Sequence, residues 1–391
     1  MTQTRVAINA ITELNGKFGV HTYLMGLAQE LRKSAAIELI LLVGEGQKPL
    51  LPIELRPHSR EIAGSASRSF WQVFHQSRIR RVLLEERIDV YHLPNTLPIL
   101  WKMMPTVVTI HDLTELRLRK YGLLRTAYRT FVNFWAARVA DRVLTVSENS
   151  KTDIVELLQV TPDKVSVVYE GVEDRFRCLD RDKCKAYVAN KFGVASDFLL
   201  APGGLAENKN IGNLLLALKN LGADGVSLPL LLTGHGSDKQ KRQIRRTICD
   251  LGLEKSVILT GYVDDRELPL IYGASSVAVY PSLYEGFGLP AIESMACGVP
   301  LVASNTSSLP EVTDNAAILV NPCDPLAIAK AIRFLLSDQV ARRTFVERGL
   351  RRAEEFRWER IVAKTVQVYQ DVASRMGTRQ AEEVSAKSVI V

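Results

Sequence analysis

The sequence predicts an α/β protein built from two doubly wound, Rossmann-like domains, each a parallel sheet covered by helices. Three observations point there. Short β-branched and leucine-rich runs alternate with longer amphipathic stretches, the pattern of strands crossed over by helices. That pattern starts afresh near the middle of the chain. And 391 residues exceed the ~250–300 over which one core keeps growing, so the chain needs two.

In the first half the strand candidates are Val6–Ile8, Leu39–Val43, Val90–His92, Thr106–Ile110, Val143–Val146 and Val165–Val168. Helical periodicity runs through Thr22–Lys33 and Leu124–Ala140. The second half offers Phe198–Ala201, Leu230–Thr233, Val257–Thr260, Val277–Tyr280, Pro300–Ala303 and Ala317–Val320. These runs are apolar throughout, as strands buried on both faces must be. Between the halves, Glu170–Asp182 is charged and aperiodic and reads as a linker. Trp358–Val372 reads as a last helix, followed by a polar, frayed 377–391. The expected division is 1–172 with 358–391 as the first domain and 173–357 as the second.

Composition excludes more than it selects. Hydrophobic residues make up 47% and charged residues 24%, an ordinary globular balance that removes collagen-like, coiled-coil and disordered classes. The first residues lack the apolar core of a secretory signal, and no apolar run approaches the ~20 residues of a membrane span. A cytoplasmic protein is expected, with room for peripheral contact at the inner face of the cell membrane. Cys178, Cys184, Cys249, Cys297 and Cys323 form no C-x-x-C pair. They are expected to be isolated buried thiols rather than a disulfide or zinc framework. The net charge of +7 invites a nucleic-acid or membrane partner. No zinc-finger, RNP-like or helix-turn-helix pattern supports the first.

Ligands of open α/β sheets bind beyond the carboxyl ends of the strands, so the residues just after strands carry the most information. The strongest motif is Tyr280-Pro-Ser-Leu-Tyr-Glu285-Gly286-Phe287-Gly288-Leu289-Pro290-Ala-Ile-Glu293-Ser-Met-Ala. A strand ends, glycines follow, and Pro290 opens a helix where proline is favoured. Gly286 and Gly288 let backbone N–H groups approach a ligand, and the helix start behind them suits a phosphate. Glu285 in the loop and Glu293, placed in the first helical turn, can accept hydrogen bonds from sugar and ribose hydroxyls. Read without context, the same residues also fit a plain glycine turn with a capping glutamate.

Two glutamates separated by seven residues in this setting resemble the nucleotide-sugar signature of glycosyltransferase family 4. The resemblance continues through Gly261-Tyr-Val263, Ser307-Ser-Leu-Pro-Glu-Val312 and Asn321-Pro322 and covers most of 200–340. It implies the GT-B fold, two Rossmann-like domains facing across a cleft, and sugar transfer with retention of configuration. It implies that Glu285 holds donor-sugar hydroxyls and Glu293 the ribose. Backbone N–H groups of Phe287, Gly288 and Leu289 would meet the sugar and diphosphate, and the backbone at Val263 the base.

Gly203-Gly204-Leu-Ala-Glu-Asn208-Lys209-Asn210 follows another strand. Lys209 can neutralise a leaving diphosphate. The family often carries arginine at the position of Gly204 or Asn208, and neither is basic here. His111-Asp112 ends the strand Thr106–Ile110. A histidine there can hydrogen-bond a sugar or shuttle a proton, and it resembles the family's histidine beside the transferred sugar. Asn15-Gly-Lys-Phe-Gly19-Val-His21-Thr-Tyr23 resembles the family's glycine-rich diphosphate loop, with Gly19 matching and His21 replacing the usual second glycine.

Arg117–Arg142 carries seven basic residues against Asp141, interleaved with Tyr121, Tyr128, Phe131, Phe134 and Trp135. It reads either as a core-facing aromatic helix with a solvated basic side or as a surface for anionic lipid. The cluster Lys239, Lys241, Arg242, Arg245, Arg246 reads as solvated helix surface.

The expected activity is a retaining hexosyltransferase, and the wording of the motifs resembles bacterial mannosyltransferases of polysaccharide assembly. That resemblance implies GDP-mannose as donor and a sugar or lipid-linked sugar as acceptor, with a UDP-hexose glucosyltransferase as the alternative. The leaving phosphate oxygen would take the acceptor proton. No bound cofactor or metal is expected, since the resemblance implies none and no D-x-D site stands out. A non-catalytic nucleotide-sugar-binding protein is the rival of another class. A sugar epimerase lacks the second-half motif, a phosphorylase needs a pyridoxal lysine, and nucleic acid is not an expected partner. Acceptor choice is assigned to the loops Glu54–Gln72 and Pro94–Met104.

Overall fold

The fold comes from a computed structural model that describes residues 3–14, 19–64, 69–98, 101–118 and 122–388, without the side chains of 69–75 and 375–388. The first compact unit comprises Met1–Gly171 and Trp358–Val391, and the second Val172–Arg357.

The first unit holds a seven-stranded sheet in the order β3-β2-β1-β4-β5-β6-β7. Its strands are β1 Thr4–Asn9, β2 Ile37–Gly44, β3 Ser59–Ile62, β4 Val90–Leu93, β5 Thr106–Thr109, β6 Arg142–Thr145 and β7 Val165–Val167. Every neighbouring pair is parallel. Ala7, Ile40, Val108 and Val143 from the sheet pack with Ala136, Ile154 and Leu158 from the helices in one apolar cluster. Each buried valine, leucine or isoleucine among them contributes about 1.5–3 kcal/mol. Strand β3 is the one that the sequence hid inside an expected loop. Its alternation is weak, with Arg60 and Glu61 exposed between buried Ser59 and Ile62, because it sits at the sheet edge.

The last helix, Trp358–Ser388, packs on the helix Gly19–Leu31 and on β1, β4 and β5. It continues past Gly377, where a frayed tail was expected. The Trp358 ring lies where side chains on Gly26 and Gly171 would otherwise stand: a Cβ added there would come within 2.2 and 2.3 Å of it. Two glycines thus make the seat for one indole.

The second unit holds six parallel strands in the order β10-β9-β8-β11-β12-β13. They are β8 Leu199–Ala201, β9 Leu230–Thr233, β10 Val257–Gly261, β11 Val277–Tyr280, β12 Leu301–Ser304 and β13 Ala317–Val320. All residues of β9, β11 and β12 are buried, which is why they read as unbroken apolar runs. The order reverses between β8 and β11, and that reversal opens the crevice where ligands of this architecture bind.

Candidate functional site

The crevice of the second unit is lined from both sides of the reversal. After β8 the chain turns through Gly203 and Gly204, both at positive φ (99° and 89°), into a short 3-10 turn, Glu207–Lys209. After β11 it reaches Glu285 and then Gly288, whose φ of 111° ends the loop and starts the helix Leu289–Ala296.

Lys209 and Glu285 meet here. Lys209 Nζ donates to Glu285 Oε1 at 2.8 Å and to the Tyr280 hydroxyl at 2.7 Å, 4.9 Å from that ring's centre. Both charges are largely buried, at 14% and 12% exposure. Such a pair persists only when its remaining donors and acceptors are also satisfied. Asn208 Nδ2 adds a bond to Glu285 Oε1 and another to the Tyr284 carbonyl. Two of the three ammonium protons of Lys209 are thereby directed inward, which leaves one for a ligand. Burial, and then the charge of Glu285, push the Tyr280 hydroxyl far above its ordinary pKa, so it stays neutral.

The geometry also explains the missing arginine. A Cβ on Gly204 would lie 2.8 Å from the His235 carbonyl oxygen at a backbone angle side chains rarely adopt. Asn208 is buried and occupied with Glu285. A side chain at Gly204 would clash, and a basic residue in place of Asn208 would forfeit its bonds to Glu285 and the Tyr284 carbonyl.

Phe287 is buried edge-on against Phe356 at 5.6 Å. The loop's carbonyls are held by Ser308, whose hydroxyl donates to Phe287 O (2.7 Å) and Glu285 O (3.1 Å), while Ser307 Oγ accepts from Glu285 N–H. These serines belong to the Ser307–Val312 motif, which the sequence marked without a role. Phe287, Gly288 and Leu289 therefore lead into the helix start that carries Pro290.

Glu293 is the fifth residue of its helix, past the first turn in which the sequence placed it. Its Oε2 accepts from the Tyr272 hydroxyl at 2.8 Å. Burial pushes its carboxyl up to about 7, opposed by the Tyr272 bond and Arg175 and aided by Glu173 and Asp265. Val263 is buried just beyond β10. Beside it Tyr262, 38% exposed, stacks on His235 at 5.0 Å with ring planes 22° apart. The two rings of this aromatic platform come from different loops, so no local sequence pattern marks it.

The first unit carries its own charged pair. His111, just after β5, donates from Nδ1 to Glu170 Oε1 and from Nε2 to the Pro94 carbonyl, both at 2.9 Å. A carbonyl can only accept, and so can a carboxylate, so both ring nitrogens carry protons and the imidazole is a cation. Burial opposes that charge, but the Glu170 bond and charge, the Pro94 carbonyl and Asp112 outweigh it and raise the pKa. Glu170 is thus no linker residue. Asp112 accepts from Thr114 N–H and shapes the turn.

Behind His111 the Tyr23 ring stands edge-on at 4.8 Å, and its hydroxyl meets Thr109 Oγ1. Thr109 bonds His92 Nε2, whose Nδ1 meets the Tyr369 hydroxyl. Burial, and then the charge of His111, lower His92 to about 3, so it is neutral. Gly19 opens its helix exposed, while His21 Nδ1 donates back to the Glu13 carbonyl at 3.0 Å. Residues 15–18, which precede Gly19 in the glycine-bearing motif, and 119–121 of the basic stretch lie outside the described residues.

Among the described residues no group of three or more His, Cys, Asp or Glu could hold a metal ion. The chain does contain one D-x-D, Asp180–Asp182, but Asp180 Oδ1 accepts from the N–H groups of Asp182 and Lys183 and caps a helix. All five cysteines are free; Cys184 and Cys297 are buried, whereas Cys178, Cys249 and Cys323 are exposed, against expectation.

The chain as a whole resembles known glycosyltransferases. Residues 19–176 match the family described as Glycosyltransferase Family 4, and residues 189–352 match Glycosyl transferases group 1. The chain is 31% identical over 304 residues to O-antigen chain mannosyltransferase B of Escherichia coli, covering 76% of this chain and 78% of that protein. The chain belongs to glycosyltransferase family 4. This family 4 glycosyltransferase is also 28% identical over 263 residues to the serotype-specific mannosyltransferase WbdA of Escherichia coli, spanning 66% of this chain but about a third, 32%, of that protein. Its fold is that of sucrose-phosphate synthase from Thermosynechococcus elongatus, a GT-B structure, with a TM-score of 0.77 at 21% identity over 95% of this chain and 100% of that one.

Proposed function

We propose that the chain is a retaining mannosyltransferase that moves mannose from GDP-mannose to an acceptor hydroxyl in polysaccharide or glycolipid synthesis. The observation that carries the reading is the Lys209–Glu285 pair at the strand reversal, just ahead of a helix start. A cation with a proton to spare suits the diphosphate, a carboxylate beside it suits sugar hydroxyls, and the Tyr262–His235 platform suits a base. The sugar assignment rests on the relatives, whose names call them mannosyltransferases.

In this reading the bond from the anomeric carbon to the diphosphate oxygen breaks as the acceptor oxygen bonds to the same face. The acceptor proton passes to the leaving phosphate oxygen, so no carboxylate has to act as a nucleophile. Lys209 and the start of Leu289–Ala296 offset the charge that grows on the leaving group. His111 contributes a fixed positive charge, and a proton relay through it would first have to open one of its two bonds. The residues need no resident metal for this chemistry.

Calorimetric titration with GDP, UDP, GDP-mannose and UDP-glucose, followed by a donor-turnover assay, tests the reading. GDP-mannose is expected to bind at least about tenfold more tightly than UDP-glucose, a difference of about 1.4 kcal/mol. The reverse order would make the chain a UDP-hexose glucosyltransferase. Binding without turnover of any donor would make it a nucleotide-sugar-binding protein, and no binding at all would sink the proposal.

A further inference from the structure

The helix Leu123–Val139 has two apolar sides. Val132, Ala136 and Ala137 are buried with Asn133 against the sheet. On the opposite side Leu124, Tyr128, Phe131 and Trp135 follow one another at spacings of four, three and four, which puts them in a single stripe. They are 90%, 52%, 62% and 40% exposed. Of the two readings the sequence allowed, the core-facing one fails for these residues, which face outward. Phe131 and Trp135 are stacked on one another at 6.3 Å, 14° from parallel, so part of the stripe is already ordered.

Charge borders the stripe. The helix contains no acidic residue, and Arg125 and Arg138 are exposed at its flanks. Beside it, Glu115 pairs with Arg129 and Asp141 with Lys102, and the Arg138 guanidinium lies over the Phe134 ring, 4.8 Å from its centre. The net charge is also lopsided: the first unit has 27 basic against 21 acidic residues, the second 23 against 22.

We propose that the outward stripe of Leu124, Tyr128, Phe131 and Trp135, flanked by Arg125 and Arg138, docks the first unit onto an anionic lipid surface. The chemistry fits one occupant better than another. Tyrosine and tryptophan settle at the boundary between headgroups and acyl chains, and arginines beside them meet the phosphates. A second copy would bring arginine borders against arginine borders. An acidic protein partner would match the charge but not the unbroken apolar stripe between. The inference does not depend on which donor the second unit takes. No described helix is long and apolar enough to cross a membrane, so docking would be along the surface.

The test is co-sedimentation of the full chain with vesicles of phosphatidylcholine alone and of phosphatidylcholine with about a third phosphatidylglycerol. Binding is expected to the anionic vesicles and to fall at least about tenfold on the neutral ones. Phe131→Ser with Trp135→Ser should lower it by about tenfold or more, as should Arg125→Gln with Arg138→Gln, the latter also flattening its salt dependence. Donor turnover in solution should be unchanged in both pairs. Should a double variant fold poorly, brominated lipid supplies the answer: it should quench wild-type fluorescence, and Trp135→Phe should remove most of that quenching. Equal binding to both vesicle types, or no loss on replacing the aromatic pair, would overturn the proposal. So would a dimer that the aromatic substitutions dissolve.

Discussion

Both units place a carboxylate against a cation at the carboxyl ends of a parallel sheet, but they commit those cations differently. In the second unit Lys209 gives two protons to Tyr280 and Glu285 and keeps a third. In the first, His111 has given both ring protons away, to Glu170 and to the Pro94 carbonyl. The lysine can accept a ligand by addition, whereas the histidine can do so only by exchange. One pair is thus built to receive a charge and the other to hold one in place.

The largest expected effect tests the receiving pair. Lys209→Ala and Glu285→Gln should each lower donor turnover by about 10²–10³, the scale of removing one preorganised charge from a reacting site. Because the two groups share a bond, the double variant should lose far less than the product of the singles. Full additivity would mean that the pair does not act as a unit.

The holding pair should respond mainly through pH. The raised pKa of His111 means that its ion pair stabilises the fold fully below the ordinary histidine pKa of 6.5 and loses that contribution as pH rises through the folded value. Glu170→Gln removes the main support for the charge, so turnover at neutral pH should fall about tenfold and the alkaline limb of the profile should move to lower pH. A uniform drop with an unmoved limb would reduce Glu170 to a packing role.

A smaller effect separates Glu293 from both pairs. Its folded pKa of about 7 lies above the ordinary 4.5, so its contribution to stability declines as pH rises between those values. A ligand whose hydroxyls donate to it favours the ionised form. Donor affinity should therefore climb about tenfold from about pH 6 to about pH 8, and Glu293→Gln should flatten that climb. An affinity that falls with pH in the wild type would remove Glu293 from the ligand.

Much of this was legible in the sequence, and the gaps have physical causes. Unbroken apolar runs such as Val277–Tyr280 announced buried strands, whereas β3 has no such run because an edge strand need bury only part of its surface. Lys209 and Glu285 were each visible after a strand, but their meeting depends on the order β8-β11, which no local pattern encodes. Glu170 looked like linker charge because its partner lies 59 positions upstream. The place of Gly204 under the His235 carbonyl was equally silent, since a glycine in sequence does not name what crowds it. The outward face of Leu123–Val139 could not be told from its inward one, as both are apolar.

Hydrogen–deuterium exchange of the wild-type chain with and without GDP-mannose shows whether the donor sits at the strand reversal of the second unit. Slowed exchange is expected in three segments of the second unit, 203–209, 262–264 and 285–293, which follow β8, β10 and β11. Protection confined to other segments, with these three unchanged, would contradict it.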